Sequence, residues 1–165
     1  MAAPRSRFSN VAISGLAHVD ADVEVLSSEL ESQITETMER LNMPPGLLEG
    51  LTGIRTRRFW SEGMAPSDAA ALAAQKVLAQ TPIDQSKIGV LINTSVSRDY
   101  LEPSTAAIVQ GKIGLGRDCI NFDIGSACLG FMQGASLAAS LDKFLPGQGR
   151  TGTAPAPPEA ETGGL

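Results

Sequence analysis

The sequence predicts an α/β fold in which helices cover both faces of a mixed or parallel sheet. Two continuous apolar runs, at residues 88–96 and 119–124, are typical of strands that are buried on both faces of a parallel sheet. Each run is followed by a segment of helical character, and alternating strands and helices are the pattern of an α/β sheet. The length of 165 residues, with 42% hydrophobic and 19% charged residues, allows one folded unit with a packed core.

The first third of the chain predicts a strand, a helix and a second strand. Residues 10–19 are apolar enough for a first strand, which ends at an acidic run. Large apolar residues then recur at steps of three and four, which predicts a helix with a solvated acidic side. Its apolar stripe consists of Leu26, Leu30, Ile34, Met38 and Leu41, and its acidic side consists of Glu29, Glu31, Glu36 and Glu39. Ser28 and Glu31 form a capping-box signature at its start, and it ends at Asn42. Residues 52–60 alternate enough to predict a strand or a strand-like edge.

The rest of the chain predicts three helices around the two apolar strands. The predicted elements are a helix from Pro66 to about Gln80, a strand at 88–96, a helix from Ser104 to about Lys112, a strand at 119–124 and a helix from the turn at 125–128 through Leu141. Residues 146–165 are rich in proline and glycine and contain one large apolar residue. Such a segment buries too little to offset its ordering entropy, so we expect a disordered tail there.

Charge and composition exclude several classes of function. The formal net charge of −5 opposes a nucleic-acid partner, because phosphate binding needs a basic face. No apolar run reaches the roughly 20 residues that a membrane-spanning helix requires, and no segment resembles a signal peptide. We therefore expect a cytoplasmic protein whose two cysteines, Cys119 and Cys128, are reduced thiols. The single histidine, His18, has no partner motif and is interpreted as structural. No metal site is predicted.

The segment that joins the strand at 119–124 to the next helix is the most informative site. It places Cys128 in the first turn of that helix, where unpaired backbone N–H groups favour negative charge, as a nucleophilic cysteine requires. The small residues Gly125, Ala127 and Gly130 allow a substrate to approach closely. A cysteine among small residues is also typical of an inert core position, and Cys119 is interpreted in that way. The glycine spacings here and at 111–116 lack the context of a phosphate-binding loop or a dinucleotide-binding turn.

Three motifs in order carry a resemblance to a known family. They are TGIR at 52–55 with RRFW at 57–60, NTSVSRDYLEPST at 93–105, and FDIGSACLGF at 122–131. The chain resembles ketoacyl synthase III-type condensing enzymes of the thiolase superfamily over about residues 10–144. Within them it is most similar to the branch that condenses two long fatty acyl chains in bacterial long-chain olefin biosynthesis.

The resemblance implies an acyltransferase that performs a Claisen condensation. Cys128 corresponds to the nucleophile that accepts an acyl group from coenzyme A or a carrier protein, and no other cofactor is implied. Glu102, which lies 26 residues before Cys128 (128 − 102), corresponds to a base that acts across a homodimer interface. An exposed loop carboxylate is the alternative interpretation of Glu102. Arg55, Arg57 and Arg58 either bind phosphates of coenzyme A or a carrier protein or form structural ion pairs.

One departure from the family pattern favours the olefin branch. In the enzymes that initiate ordinary fatty-acid synthesis, a tryptophan and an arginine before the TGIR motif contact coenzyme A. Leu47 and Leu51 occupy the matching positions here.

The resemblance also implies that the chain is incomplete as a catalyst. A thiolase-like fold has two similar halves, and its second half supplies a histidine and usually an asparagine to the site. Residues 1–145 match the N-terminal, nucleophile-bearing half, and the tail at 146–165 suggests a frameshift or a truncation. We therefore expect little turnover and an exposed apolar face. The alternative is a non-catalytic dimerising or interaction module that keeps this fold.

Overall fold

The computed structural model describes Phe8 and residues 11–141, which form two compact units. The smaller unit comprises Val19–Met64, and the larger unit comprises Phe8, residues 11–18 and residues 65–141. The boundary expected near residue 145 and the tail at 146–165 lie outside the described residues. No helix in the described part is long and apolar enough to cross a membrane.

The smaller unit is an antiparallel strand pair with three short helices between its strands. Strand β1 (Val23–Leu26) pairs with β2 (Thr56–Phe59), so that Val23 lies opposite Phe59. The helices are α1 (Ser27–Gln33), α2 (Thr35–Arg40) and α3 (Leu47–Thr52). Gly46 and Gly53 flank α3 with φ angles of 78° and 67°, a left-handed conformation that glycine adopts without steric cost.

The larger unit is built around two parallel strands. Its elements are α4 (Pro66–Gln80), a 3-10 turn at Gln85–Lys87, β3 (Val90–Asn93), α5 (Thr105–Ile113), β4 (Ile120–Asp123), a 3-10 turn at Ala127–Leu129 and α6 (Gly130–Leu141). Strands β3 and β4 are joined through α5, which is the crossover that a parallel pair requires. The register places Asn93 beside Asp123 at the carboxyl ends of both strands.

Small residues form the buried core of the larger unit. Its buried apolar residues are Ala71, Ala106, Val109, Cys119 and Ala139. All four residues of β3 are half-buried, although the sequence predicts a strand covered on both faces. The difference follows from the size of the ladder: among the described residues it contains two strands, so each strand has a free edge.

The prediction of a first strand at residues 10–19 was wrong. Residues 11–22 lie outside any helix or strand, and the first strand of the structure begins at Val23. An apolar segment becomes a strand only when a neighbouring backbone completes its ladder of hydrogen bonds. The described residues offer no such partner to 11–19. His18, which was expected to end that strand, instead accepts a hydrogen bond at its carbonyl from Lys76 Nζ at 2.8 Å.

The helix predicted after residues 10–19 is divided in two, and its capping residue differs from the prediction. A turn at Ile34 separates α1 from α2, and Leu26 belongs to β1. Glu29 Oε2 accepts the Leu26 N–H at 3.0 Å, in place of the expected Ser28 and Glu31 cap. Glu31 is buried although it was placed on the solvated side. Its carboxylate accepts the backbone N–H groups of Gly46 and Leu48, both at 2.7 Å, and so caps α3.

Candidate functional site

Cys128 lies on the turn that connects β4 to α6. The 3-10 turn Ala127–Leu129 precedes α6, so Cys128 stands just before the α-helix instead of within its first turn. The backbone of Ala127 has a φ angle of 43°, a left-handed conformation that costs energy for a residue with a side chain. The Cys128 side chain is exposed. The turn therefore presents a free thiol at the carboxyl end of the parallel strands.

The start of α6 is packed tightly against the residue that follows β3. Gly130 and Gly134 are buried one helical turn apart, and both face Thr94. A Cβ atom added to Gly130 would lie 2.5 Å from the Thr94 carbonyl oxygen, and one added to Gly134 would lie 2.5 Å from Thr94 Cγ2. Only glycine allows this approach of helix to strand. The packing holds the turn that carries Cys128 in place.

Asp123 links the ends of both strands to helix α5. Its carboxylate accepts hydrogen bonds from the backbone N–H groups of Thr105 at 2.9 Å and Ala106 at 2.8 Å, and from Asn93 Nδ2 at 3.1 Å. A carboxylate in this position satisfies unpaired N–H groups and complements the positive end of the helix dipole. Sequence analysis missed this role. The positions of Asn93 and Asp123, each at the end of an apolar run, were the available signal.

Glu102 lies on the loop that connects β3 to α5. This loop, residues 94–104, and the turn with Cys128 both follow carboxyl ends of paired parallel strands, so they emerge at one edge of the ladder. The loop approaches the turn, since a Cβ added to Gly125 would lie 4.0 Å from Arg98 Nη2. Glu102 itself is exposed. The structure thus brings the Glu102 loop and the Cys128 turn to the same edge.

The other cysteine is a core residue, as predicted. Cys119 is 5% exposed, and its Sγ donates to the Ile120 carbonyl at 3.7 Å. Burial raises the pKa of the Cys119 thiol above its ordinary value. Gln110 Nε2 donates to the Cys119 carbonyl at 3.2 Å and to the Gly116 carbonyl at 2.7 Å, which fixes the backbone around it. Cys119 is therefore unsuited to act as a nucleophile.

The three arginines that were considered for phosphate binding belong to the smaller unit. Arg57 Nη1 donates to Ser27 Oγ at 2.6 Å. Arg58 donates to the Ala21 carbonyl at 3.2 Å and pairs with Glu24 at 3.3 Å. Arg55 is exposed. Two of the three guanidinium groups thus have structural partners in their own unit.

Helix α6 exposes apolar side chains directly beside Cys128. Leu129, Phe131 and Met132 are each about 60% exposed. A groove of about 450 Å³ runs along this helix and is lined by Leu129, Met132, Gln133, Ser136, Leu137 and Ser140. Within the described residues no cluster of histidine, cysteine, aspartate and glutamate is suited to bind a metal ion. The exposed thiol of Cys128 is therefore followed directly by an apolar groove along α6.

Similarity to known proteins identifies the fold. The chain is 47% identical over 134 residues to the acyl-CoA:acyl-CoA alkyltransferase of Xanthomonas campestris, and 41% identical over 128 residues to that of Shewanella oneidensis. A crystal structure of a 3-oxoacyl-(acyl carrier protein) synthase III from Xanthomonas oryzae matches with 48% identity and a TM-score of 0.75. The chain is a homologue of these condensing enzymes and carries part of their thiolase-like fold. No protein-family model matches it.

The homology covers most of this chain but less than half of each relative. The matches with the Xanthomonas campestris enzyme and the Xanthomonas oryzae structure cover 81% of this chain and 40% of each relative. For Shewanella oneidensis the shares are 78% and 37%. Solved structures of the Xanthomonas campestris protein, named OleA, include variants that replace a cysteine by alanine and a glutamate by glutamine. These have TM-scores of 0.75 and 0.74 at 45% and 46% identity, and cover 84% and 81% of this chain and 41% of each relative.

Proposed function

We propose that this chain supplies the acyl-accepting cysteine of a Claisen condensation between fatty acyl thioesters. The observation that carries the proposal is the position of Cys128, an exposed thiol on a strained turn between β4 and α6 in a homologue of acyl-CoA:acyl-CoA alkyltransferases. A thiol on such a turn is accessible to the carbonyl carbon of a thioester. We assign the chain to the long-chain olefin branch of these enzymes, with fatty acyl thioesters as substrates.

Acylation of Cys128 is a thiol exchange. The Cys128 sulfur attacks the thioester carbonyl carbon, a new carbon–sulfur bond forms, and the bond to the departing thiol breaks. The proton lost by Cys128 is taken up by the departing thiolate of coenzyme A or of the carrier protein. The apolar groove that begins at Leu129 would give the acyl chain a surface to bury. Of the three arginines in the smaller unit, Arg55 is exposed and Arg57 and Arg58 have structural partners, so Arg55 is the one proposed for phosphate binding.

Glu102 is proposed as the base for the second substrate, acting in the site of a partner protomer. It would remove a proton from the carbon next to the second thioester, and the resulting carbanion would attack the acyl group and release the Cys128 sulfur. Its exposure on a loop fits a group that reaches outward. In the OleA variants, the altered glutamate and the altered cysteine are separated by the same number of residues as Glu102 and Cys128.

The proposal is tested by intact-mass measurement after incubation with a long-chain acyl-CoA. This experiment measures the acyl adduct, which needs the cysteine, and does not depend on turnover. We expect one acyl group per chain on the native protein and none on Cys128→Ala. Cys119→Ala is the matched control, because it removes the other thiol, and Glu102→Gln should also retain the adduct since acylation does not use it.

Absence of an adduct on the native chain would reject the acyl-transfer proposal. It would favour the second candidate, a non-catalytic interaction module, for which the exposed apolar residues on α6 are the supporting observation. Size-exclusion chromatography then tests the second candidate, because an interaction module of this kind should self-associate. A monomer that forms no adduct would contradict both candidates.

A further inference from the structure

The loop that carries Glu102 has one residue that is withdrawn from solvent. Of residues 95–103, eight are exposed and Asp99 alone is half-buried. Tyr100 and Leu101, which separate Asp99 from Glu102, are 64% and 83% exposed. A loop of exposed residues has few contacts to hold it in one conformation. The order of this loop must therefore come from Asp99 and from the two ends of the loop.

Asp99 binds the start of helix α4 through a buried serine. Its carboxylate accepts the backbone N–H of Ser67 at 2.9 Å and also accepts a hydrogen bond from the Ser67 hydroxyl. Ser67 is the second residue of α4 and is completely buried. Asp99 thus caps α4 from a distant part of the chain, where the positive end of the helix dipole favours its charge.

Lys112 completes the attachment from the far end of helix α5. Its Nζ donates to Ser67 Oγ at 2.6 Å and to Asp68 Oδ1 at 2.6 Å. Helix α5 begins where the loop ends, and Ser104 caps that start by accepting the Ala107 N–H at 3.2 Å. The loop is therefore held at its middle by Asp99 and at its end by α5. Both attachments converge on Ser67, which Asp99 binds directly and α5 binds through Lys112.

We propose that Asp99 is a positioning residue for Glu102: by binding Ser67 it holds the loop that presents Glu102. The relevance to catalysis rests on the proposed function, in which Glu102 is the base for the second substrate. The hydrogen bonds between Asp99 and Ser67 do not depend on that function. Asp99 touches no substrate in this proposal and acts through the backbone of the loop.

The chain offers two local reporters for the loop. Arg98 is exposed, so trypsin can cleave after it once the loop opens locally. Tyr100 is the single tyrosine of the chain, and replacing it biosynthetically with fluorotyrosine gives one fluorine resonance from the residue next to Asp99. The variant Ser67→Ala removes the hydroxyl and leaves the loop sequence unchanged, so both reporters remain comparable.

We expect Ser67→Ala to speed native-state cleavage after Arg98 by at least about tenfold, because the lost hydroxyl bonds both Asp99 and Lys112, and losing one hydrogen bond to a charged group already gives about that factor. The fluorine resonance should move toward its position in the unfolded chain. Ser67→Thr keeps a hydroxyl and should restore both values. Ser86→Ala is the matched control, because Ser86 makes the same pair of hydrogen bonds, from N–H and hydroxyl to Asp84, outside this loop.

Two outcomes would overturn the proposal. Unchanged cleavage after Arg98 and an unchanged fluorine resonance in Ser67→Ala would show that the hydrogen bond between the Ser67 hydroxyl and Asp99 does not hold the loop. Cleavage that rises equally at Arg98 and at sites in other elements, such as Arg40 in α2, would show a purely structural role. The acyl adduct on Cys128 should be the same in Ser67→Ala and in the native chain. A missing adduct on the native chain would reject the proposed function without altering the loop result.

Discussion

The two cysteines that flank strand β4 lie in opposite environments. Cys119 stands just before the strand, is 5% exposed and lies among core residues. Cys128 stands five residues after the strand, is exposed, and lies on a turn with a left-handed alanine. The two thiols are nine residues apart in sequence (128 − 119). Position relative to the carboxyl end of the parallel strand, and not residue type, therefore decides which of the two thiols is exposed.

The contrast has a physical cause in how each backbone is held. Around Cys119 the Gln110 side chain binds two carbonyl groups, and the thiol fills a gap in the core. Around Cys128 the anchoring is done by its neighbours, since Gly130 and Gly134 pack on Thr94 and leave the thiol outside. The Cys119 sulfur therefore packs as an apolar atom, whereas the backbone around Cys128 holds its sulfur at the surface.

The largest effect that tests this comparison is the difference in alkylation rate. We expect iodoacetamide to modify Cys128 at least about 100-fold faster than Cys119 under native conditions, because a buried thiol reacts only after the structure opens. Peptide mass spectrometry over time measures both rates. Cys128→Ser should remove the fast phase and Cys119→Ser should leave it unchanged. Equal rates for the two cysteines would break the comparison.

A second test concerns the packing that displays Cys128. Gly130→Ala would place a Cβ 2.5 Å from the Thr94 carbonyl oxygen, so we expect the free energy of unfolding to fall by about 1–3 kcal/mol. Gly111→Ala is the matched control, because Gly111 lies within helix α5 and an added Cβ meets nothing within 4 Å. That substitution should raise stability by roughly 0.5–1 kcal/mol. Urea denaturation measures both, and a neutral Gly130→Ala would contradict the tight packing.

Local patterns predicted the larger unit well. The helix predicted from Pro66 to about Gln80 is α4, and α5 and β4 lie within about one residue of their predicted bounds. Strand β3 has four of the nine residues predicted at 88–96, and α6 begins after Cys128 instead of including it. These elements follow from short-range signals, such as proline at a helix start and continuous apolar strands in a parallel ladder. The buried state of Cys119 followed from the same reasoning, since the residue lies at an apolar strand.

Several of the failures involve partners that are distant in sequence. Residues 10–19 are apolar, but no described strand pairs with residues 11–19. Glu31 looked solvated because its helix pattern is acidic, but its partners Gly46 and Leu48 lie beyond the next helix. The Asp99 and Ser67 pair spans 32 residues and leaves no periodic signal. Such contacts depend on tertiary structure, which a pattern of neighbouring residues does not encode.

The smallest expected effect isolates the burial of Cys119. Because burial raises the pKa of Cys119 above its ordinary value of 9.0, the unfolded chain releases that proton at a lower pH than the folded chain. The contribution of this thiol to stability is therefore fully present below about pH 9 and is lost as the pH rises through the folded-state pKa. The measurement is the difference in unfolding free energy between the native chain and Cys119→Ala, at about pH 7 and about pH 10. Subtracting the variant cancels every contribution that the two chains share. We expect the difference to shrink at the higher pH, and a constant difference would mean that Cys119 is as accessible to water as the thiol at the other end of the strand.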